Sequence, residues 1–138
     1  MSTQVAISHT VMARKMFDAF KQGDIAYILN QLDDNCQWNV MGTPLISFAG
    51  KYIGKGTSLF FSKMNEEFEF TSFEVEDIYE VNETDVISKG SFVARSRKTG
   101  KTAKSPWMML NRFQNGKTIY FQDYVDTAQV AAAMQPAD

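Results

Sequence analysis

The most informative part of the sequence is residues 70–125, FTSFEVEDIYEVNETDVISKGSFVARSRKTGKTAKSPWMMLNRFQNGKTIYFQDYV. β-Branched and aromatic residues alternate there with polar ones in four successive runs, and short segments containing Asn or Gly separate the runs. Connections this short join antiparallel neighbours, so we expect a four-stranded meander. The predicted strands are Phe70–Tyr79, Asp85–Arg97, Thr102–Phe113 and Thr118–Val125, with turns at Val81–Thr84, Lys98–Gly100 and Gln114–Gly116.

The first half of the chain shows the spacing of helices instead. Between Ser8 and Gln22 the apolar residues recur every three to five positions, as they do on one face of an amphipathic helix. Gly23 ends this helix, and Asp24 is placed to cap a short second one. The remaining predicted elements are a first strand at Cys36–Val40, an irregular loop at Met41–Gly56, a third helix at Thr57–Glu67 and a last helix at Ala128–Met134 capped by Asp126 or Thr127.

Three N-terminal helices followed by long strands predict an α+β fold in which the helices pack on one face of the sheet. Strands of ten or more residues twist and bend rather than stay flat. We therefore expect a cone-shaped, strongly curved, mostly antiparallel sheet that encloses a mostly apolar pocket. One domain over residues 1–138, with a core at about 10–134, accounts for the whole chain.

Charge and composition limit the partners of this protein. Fourteen basic and 16 acidic residues nearly cancel, so we expect neither a nucleic acid nor a membrane as partner. Hydrophobic residues make up 44% of the chain, which suits a pocket for a small apolar or amphipathic molecule. His9 and Cys36 are the only residues of their types, so no metal or other cofactor is expected. A single cysteine also favours a reducing, cytoplasmic location.

Several short motifs resemble one protein family when they are taken together in order. They are Gly23-Asp24, Asp33-Asp34, FAGKYIGK at 48–55, NGK at 115–117 and YVDTA at 124–128. Their order and spacing resemble the SnoaL-like branch of the nuclear transport factor 2-like superfamily, over about Thr10 to Met134. The resemblance implies the cone-shaped fold. It leaves the reaction open, because the superfamily includes ketosteroid isomerases, limonene epoxide hydrolases and polyketide cyclases.

The resemblance also shows which family chemistry is missing. Ketosteroid isomerases use a carboxylate base together with a Tyr and a protonated Asp as hydrogen-bond donors. The matching positions here are Asn39, Met16 and Met109. An amide cannot shuttle a proton and a thioether has none to donate, so steroid isomerisation of that type is not expected.

Asp123 is the one carboxylate that the other family comparisons retain. The Arg-x-Asp pair of limonene epoxide hydrolases falls on Gly90 and Phe92, whereas their second Asp falls on Asp123. The His and Asp of SnoaL-type cyclases fall on Met109 and Asp123. We therefore predict Asp123 as the catalytic residue.

Strand alternation supports a role for Asp123 and also leaves a structural alternative. It puts Asp123 on the same face as Ile119 and Phe121, so an inward face would place the carboxylate among apolar side chains. Burying such a charge is costly, and active sites often exploit that cost. Alternatively, this face is exposed, or Asp123 forms a structural ion pair with Arg95 or Arg112.

Eight further residues are candidates for ligand contact. Amide and phenol groups could hold a substrate oxygen, indole rings could stack on a ring-shaped ligand, and methionines could form adaptable walls. Core packing or dimer contact is the alternative for each aromatic or Met side chain. The candidates are Asn39, Trp38, Met16, Tyr52, Phe92, Trp107, Met109 and Phe121.

Two functions remain open at this point. In the first, Asp123 is a lone general acid or base for an isomerisation, a cyclisation or the addition of water. In the second, the pocket holds a hydrophobic ligand without turnover, since the usual acid–base partners are replaced. Met108 and Leu110 on the outer face of the sheet additionally predict a homodimer.

Overall fold

Four helices and six strands make up residues 8–136, the part of the chain that the computed structural model describes. Residues 1–7 and 137–138, the ends of the predicted domain, lie outside the described residues. The elements are α1 (His9–Lys21), α2 (Ile25–Asn30), β1 (Leu32–Val40), β2 (Gly50–Ile53), a 3₁₀ turn (Gly54–Thr57), α3 (Ser58–Glu67), β3 (Phe68–Glu80), β4 (Asp85–Ser96), β5 (Thr102–Gln114), β6 (Lys117–Val125) and α4 (Thr127–Met134).

Three of the four helices begin next to a residue whose side chain caps them, whereas α3 has no side-chain cap. The Ser8 hydroxyl accepts a hydrogen bond from the first turn of α1, and the Asp24 carboxylate accepts one from the Tyr27 N–H at the start of α2. Asp126 caps α4 in the same way. Gly23 has a φ of +76°, a conformation that glycine adopts without strain, and it separates α1 from α2 as predicted.

The predicted meander is confirmed. The six strands form one sheet in the order β2-β1-β6-β5-β4-β3, and β3, β4, β5 and β6 are antiparallel neighbours. Strand β1 lies parallel to β6, so the first strand is added to the last one and not to β3. Strand β3 starts at Phe68, two residues before the predicted Phe70, and β1 starts at Leu32, four residues before the predicted Cys36, because the polar residues 33–35 belong to the strand.

The sequence predicted an irregular loop over the whole of Met41–Gly56, and this prediction is wrong for the second half of the segment. Residues Gly50–Ile53 form the edge strand β2, which pairs antiparallel with β1 and places Tyr52 opposite Trp38. The 3₁₀ turn follows it and leads directly into α3. Strand β2 has only four residues and begins with Gly50. Alternation cannot be recognised in so short a stretch, so the sequence pattern indicated a loop.

The sheet curves around the N-terminal helices. Pairing shifts by one residue at two places along β3 and β4 and at one place along β5 and β6, and such bulges bend strands. Helix α1 packs on β3 and β4, and the centroid of the Phe17 ring lies 6.2 Å from that of Phe73 on β3. The outcome is the curved α+β architecture that the sequence predicted, with one face of the sheet buried under helices.

Candidate functional site

An apolar cavity of about 120 Å³ lies between α1, α3 and the concave face of the sheet. Aromatic, aliphatic and Met side chains form nearly all of its wall, among them Phe17, Phe60 and Val40. Two polar side chains, Asn111 and Asp123, interrupt the apolar lining within the described residues. They come from the neighbouring strands β5 and β6, so the polar groups of the cavity are concentrated on one wall.

The Asp123 carboxyl group belongs to this cavity and is largely shielded from water. The residue is 8% exposed, and its Oδ1 accepts a hydrogen bond of 3.0 Å from the backbone N–H of Met41, just beyond the end of β1. Burial among apolar groups raises the pKa of Asp123 from 3.8 to about 6, although the hydrogen bond from Met41 opposes the shift. A carboxyl group with this pKa exchanges its proton near neutral pH.

No basic side chain within residues 8–136 forms an ion pair with Asp123. Arg112, one of the two arginines considered from the sequence, instead binds Asp85 with its Nε and Nη2 atoms, at 2.8 and 3.2 Å. This contact lowers the pKa of Asp85. Arg95, the other arginine, is exposed on the opposite face of β4. The structural alternative for Asp123, an ion pair with either arginine, is therefore excluded by the geometry.

A bulge in the last strand changes which neighbours Asp123 has. Phe113 pairs with Thr118 and Arg112 pairs with Tyr120, so Ile119 is an extra residue on β6. Thr118 is consequently buried, while Ile119 is only half-buried. The prediction that Ile119 shares the inward face with Asp123 is wrong because alternation changes phase at the bulge, although Phe121 does share that face.

Asn111 is a candidate site residue that the sequence analysis missed. It is 4% exposed and lines the cavity from β5, diagonally across from Asp123, because Asn111 pairs with Phe121 and Met109 pairs with Asp123. The side-chain hydrogen bonds found within residues 8–136 around the cavity do not involve its amide. Alternation along β5, in which Trp107, Met109 and Asn111 share one face, is the pattern that would have found it.

Five of the eight predicted ligand-contact residues line the cavity. Trp38 and Phe121 lie on the adjacent strands β1 and β6, and their rings stack with centroids 3.7 Å apart. Thr118 donates a hydrogen bond to the Met16 sulfur at 3.6 Å, which holds that side chain beside the strand. The five residues are Met16, Trp38, Phe92, Met109 and Phe121.

The other three predicted contact residues do not line the cavity. Asn39 lies between two inward residues of β1, so it faces away, and its Nδ2 donates to the Phe121 carbonyl at 3.3 Å. The Tyr52 hydroxyl donates to the Phe48 carbonyl at 2.9 Å. Trp107 is 2% exposed and stacks on Phe73, so it is a core residue. Because none of these three residues belongs to the cavity wall, the prediction that they contact a ligand in this cavity is wrong.

Residues 8–136 contain neither a cluster of metal ligands nor a membrane-spanning helix. No three His, Cys, Asp or Glu side chains come together there as a set of metal ligands. None of the helices in the same residues has the length and apolar character needed to cross a membrane.

A curved six-stranded sheet with helices on its concave face, enclosing an apolar cavity, defines the class of nuclear transport factor 2-like folds. Within that class, the chain belongs to the SnoaL-like domain family, whose model matches residues 13–121. The match ends two residues before Asp123, so membership of the family does not by itself assign a role to that carboxylate.

Solved structures support the same fold. A nuclear transport factor 2-like protein from Burkholderia thailandensis aligns with a TM-score of 0.85 at 23% identity, over 95% of this chain and 100% of that chain. A Rhodopseudomonas palustris protein proposed to be an isomerase gives a TM-score of 0.75 at 16% identity, over 93% and 97% of the two chains. A Xanthomonas campestris protein proposed to be a polyketide cyclase gives 0.74 at 17% identity, over 91% and 96%. The comparison with curated proteins found no match.

Proposed function

We propose that this SnoaL-like protein binds a small, largely apolar carbonyl compound in the cavity and moves a proton on it with Asp123. The observation that carries the proposal is the Asp123 carboxyl group itself, which lies in apolar surroundings with a pKa raised to about 6. General bases are most effective when their pKa is near the working pH, and a water-poor site strengthens their interaction with the substrate.

The proposed step is an isomerisation through an enolate. The Asp123 carboxylate takes a proton from the carbon next to the carbonyl group, and the electron pair moves onto the oxygen. The Asn111 amide, a buried donor on the same wall, donates a hydrogen bond to that oxygen. In a substrate with a double bond between the β and γ carbons the anion is a dienolate, and Asp123 then returns the proton to the γ carbon while the double bond moves next to the carbonyl group, so that substrate and product contain the same atoms. In the cyclase variant the enolate carbon attacks a second carbonyl carbon of the same substrate, and the protonated Asp123 gives its proton to the oxygen of that carbonyl group.

The size of the cavity limits the group that reacts. An engineered protein cavity of about 150 Å³ holds one benzene molecule, whereas the cavity here measures about 120 Å³. The reacting part of the substrate is therefore a single ring or a short branched chain. The resemblance to proteins proposed to be an isomerase and a polyketide cyclase is consistent with such carbonyl substrates.

Binding without turnover is the alternative, and a specific observation favours it. The cavity wall has Met16 and Met109 where ketosteroid isomerases have hydrogen-bond donors, so Asp123 has no second titratable group beside it in the lining. In that case the cavity stores or carries its ligand, and Asp123 accepts a hydrogen bond from it.

Proton exchange in heavy water tests the proposal and separates the two functions. The protein would be incubated with a panel of cyclic ketones and enones, and NMR would follow deuterium incorporation next to the carbonyl group. We expect exchange with the parent protein, at least about a hundredfold slower exchange with Asp123→Asn, and no change with Asp18→Asn, an exposed carboxylate on α1. Ligand-induced shifts without exchange would establish the binding alternative, and an unchanged rate in Asp123→Asn would remove Asp123 from the mechanism.

The assembly and location that we propose follow from the surface and the composition. Met108 and Tyr124, which pair with each other across β5 and β6, are 46% and 51% exposed on the outer face of the sheet. We propose that a second copy of the chain covers this face to form a homodimer. The single cysteine is the basis for placing the protein in the cytoplasm.

A further inference from the structure

A second, larger recess lies directly outside the cavity. We call it the outer groove; it measures about 820 Å³ and runs between the C-terminal end of α1, one side of α3 and the first half of β3. The outer groove and the cavity share five lining side chains, namely Phe20, Phe61, Met64, Phe68 and Phe73. These side chains therefore form a common wall, one side of which faces the cavity and the other the groove.

The sizes of the two recesses suggest that one ligand occupies both. Pockets for small molecules commonly measure roughly 300–1,000 Å³, and the cavity alone is well below that range. A ligand whose ring fills the cavity has to continue elsewhere if it is to be larger than one ring. Phe20, Met64 and Phe73 in the common wall are only partly buried, so they are the side chains whose rotation would connect the cavity with the groove.

The charges in the outer groove indicate the chemistry of the outer part of that ligand. Lys21 and Arg97 are the basic side chains of its lining, and Glu69 is the acidic one. Glu69 is opposite Arg95 in the register of β3 and β4, so a third basic residue lies next to this carboxylate. The groove therefore presents cationic groups at the outer end of an apolar wall.

Arg97 is held in a defined position. Its Nε donates to the Asn65 carbonyl at 2.7 Å, and its Nη2 donates to the Asn65 side-chain oxygen at 3.3 Å. Its backbone N–H donates to the Glu67 carbonyl. These bonds use one edge of the guanidinium group, and none of the hydrogen bonds found within residues 8–136 involves its Nη1 amino group, which can therefore donate to an anion. A fixed guanidinium group loses less conformational entropy when it binds a carboxylate.

We propose that the outer groove binds the carboxylate end of an amphipathic ligand whose apolar ring occupies the cavity, with Lys21 and Arg97 as its binding residues. The inference rests on the proposed function in one respect, which is that the cavity is a ligand site. It names the substrate class more closely, as a keto acid whose cyclic ketone lies in the cavity near Asp123 and whose carboxylate lies in the groove; phenyl compounds serve as unreactive probes of the same shape.

A series of ω-phenylalkanoates, from phenylacetate to 6-phenylhexanoate, tests this inference, with the corresponding phenylalkanols as uncharged partners. Calorimetry or NMR titration at low salt would give the Kd of each. We expect the longer carboxylates to bind about five- to tenfold more tightly than the alcohols of equal length, because partly exposed ion pairs contribute about that much. The shortest acid, which cannot reach the groove, should show no such preference.

The double variant Lys21→Gln, Arg97→Gln should bind acids and alcohols equally, with the Kd of the alcohols unchanged. The matched control is Lys15→Gln, an exposed lysine of α1 outside the groove lining, which should keep the preference. A preference that is absent in the parent protein, that does not depend on chain length, or that persists in the double variant would overturn the inference.

Toluene binding distinguishes this failure from a failure of the proposed function. If the cavity binds toluene but the acids show no preference, the groove inference is wrong while the proposed cavity site stands. If toluene and every phenyl compound fail to bind, the cavity is not a ligand site and both proposals are wrong.

Discussion

The carboxyl group of Asp123 combines two properties that oppose each other energetically. Its position in the cavity wall places it where a reacting atom can approach, yet burial disfavours its charged form. The Met41 N–H offsets only part of that cost. A site of this kind reduces the stability of the fold at neutral pH and in return has a carboxyl group that titrates near neutrality.

The pH dependence of stability should report this cost. The pKa of Asp123 is higher in the folded protein than in the unfolded chain, so the native state binds more protons between about pH 4 and 6 and the free energy of unfolding falls as pH rises through that window. Asp123→Asn removes this contribution and keeps an oxygen to accept from Met41. We expect the variant to gain about 3 kcal/mol relative to the parent protein between pH 4 and 8.

Urea unfolding of the parent protein and of Asp123→Asn at pH 4 and at pH 8 measures this gain in the free energy of unfolding. Asp18→Asn, which changes an exposed carboxylate, is the control and should follow the parent protein. Parallel pH profiles for the parent and Asp123→Asn would mean that the carboxyl group is solvated in solution.

Cys36 should be inert as long as the protein is folded. Its side chain is fully buried on β1, and burial, aided by the nearby negative charge of Asp33, raises the pKa of the thiol to about 12. Because only the exposed thiolate reacts, we expect labelling by Ellman's reagent at pH 8 to be at least about a thousandfold slower in buffer than in denaturing urea. Rapid labelling of the native protein would indicate that β1 opens locally.

At the level of elements, β4 leaves no room for a side chain at Gly90. Gly90 lies where β4 passes between β3 and β5, and Trp107 is its partner on β5. A Cβ atom at this position would lie 1.9 Å from the Glu74 carbonyl oxygen and 2.5 Å from the Trp107 ring. Any larger residue, including the arginine that limonene epoxide hydrolases have at the matching position, would force these strands apart.

Gly90→Ala should therefore destabilise the protein by about 2–4 kcal/mol, because neither the backbone carbonyl nor the core indole can move freely. Chemical denaturation followed by tryptophan fluorescence measures the change, since Trp107 is at the point of contact. Gly56→Ala is the matched control: a Cβ atom there meets nothing within 4 Å, so only a small effect is expected. Equal stability of Gly90→Ala and the parent protein would show that the strands are not packed this closely.

For the whole molecule, the outer face of the sheet carries an apolar patch on β4, β5 and β6 that bears on assembly. Met108 and Tyr124 lie there next to Leu110, and Ile87 pairs with Leu110 from β4. A helix layer covers the concave face only, so these side chains meet water in a monomer. An apolar patch on a sheet face is a common site of symmetric association.

The variant Met108→Lys, Tyr124→Lys should shift the protein from dimer to monomer, because it would bring four like charges together in a two-fold interface. Sedimentation at micromolar concentration measures the change. Leu59→Lys, which alters an apolar residue of α3 that is 51% exposed, is the control and should leave the assembly unchanged. A parent protein that sediments as a monomer would contradict the proposed dimer.

Much of the architecture could be predicted from the sequence because it depends on local patterns. Alternation with a period of two identified strands β3 to β6, apolar spacing from Ser8 onward identified α1, and the capping residues Asp24 and Asp126 marked the starts of α2 and α4. Both patterns concern residues a few positions apart, whose geometry is the same in any protein. The family resemblance, together with strand alternation for Asp123, predicted six residues that do line the cavity, whereas their catalytic and ligand-contact roles stay predictions.

The tertiary structure alone decided which distant groups meet. The bulge at Ile119, the pairing of Arg112 with Asp85, the position of Asn111 beside Asp123 and the division of the interior into a cavity and an outer groove all depend on contacts between separate elements. One inserted residue reverses the faces of every later position in a strand. Such a shift leaves no local mark in the sequence, because it is the packing of whole elements against one another that determines where it is stable.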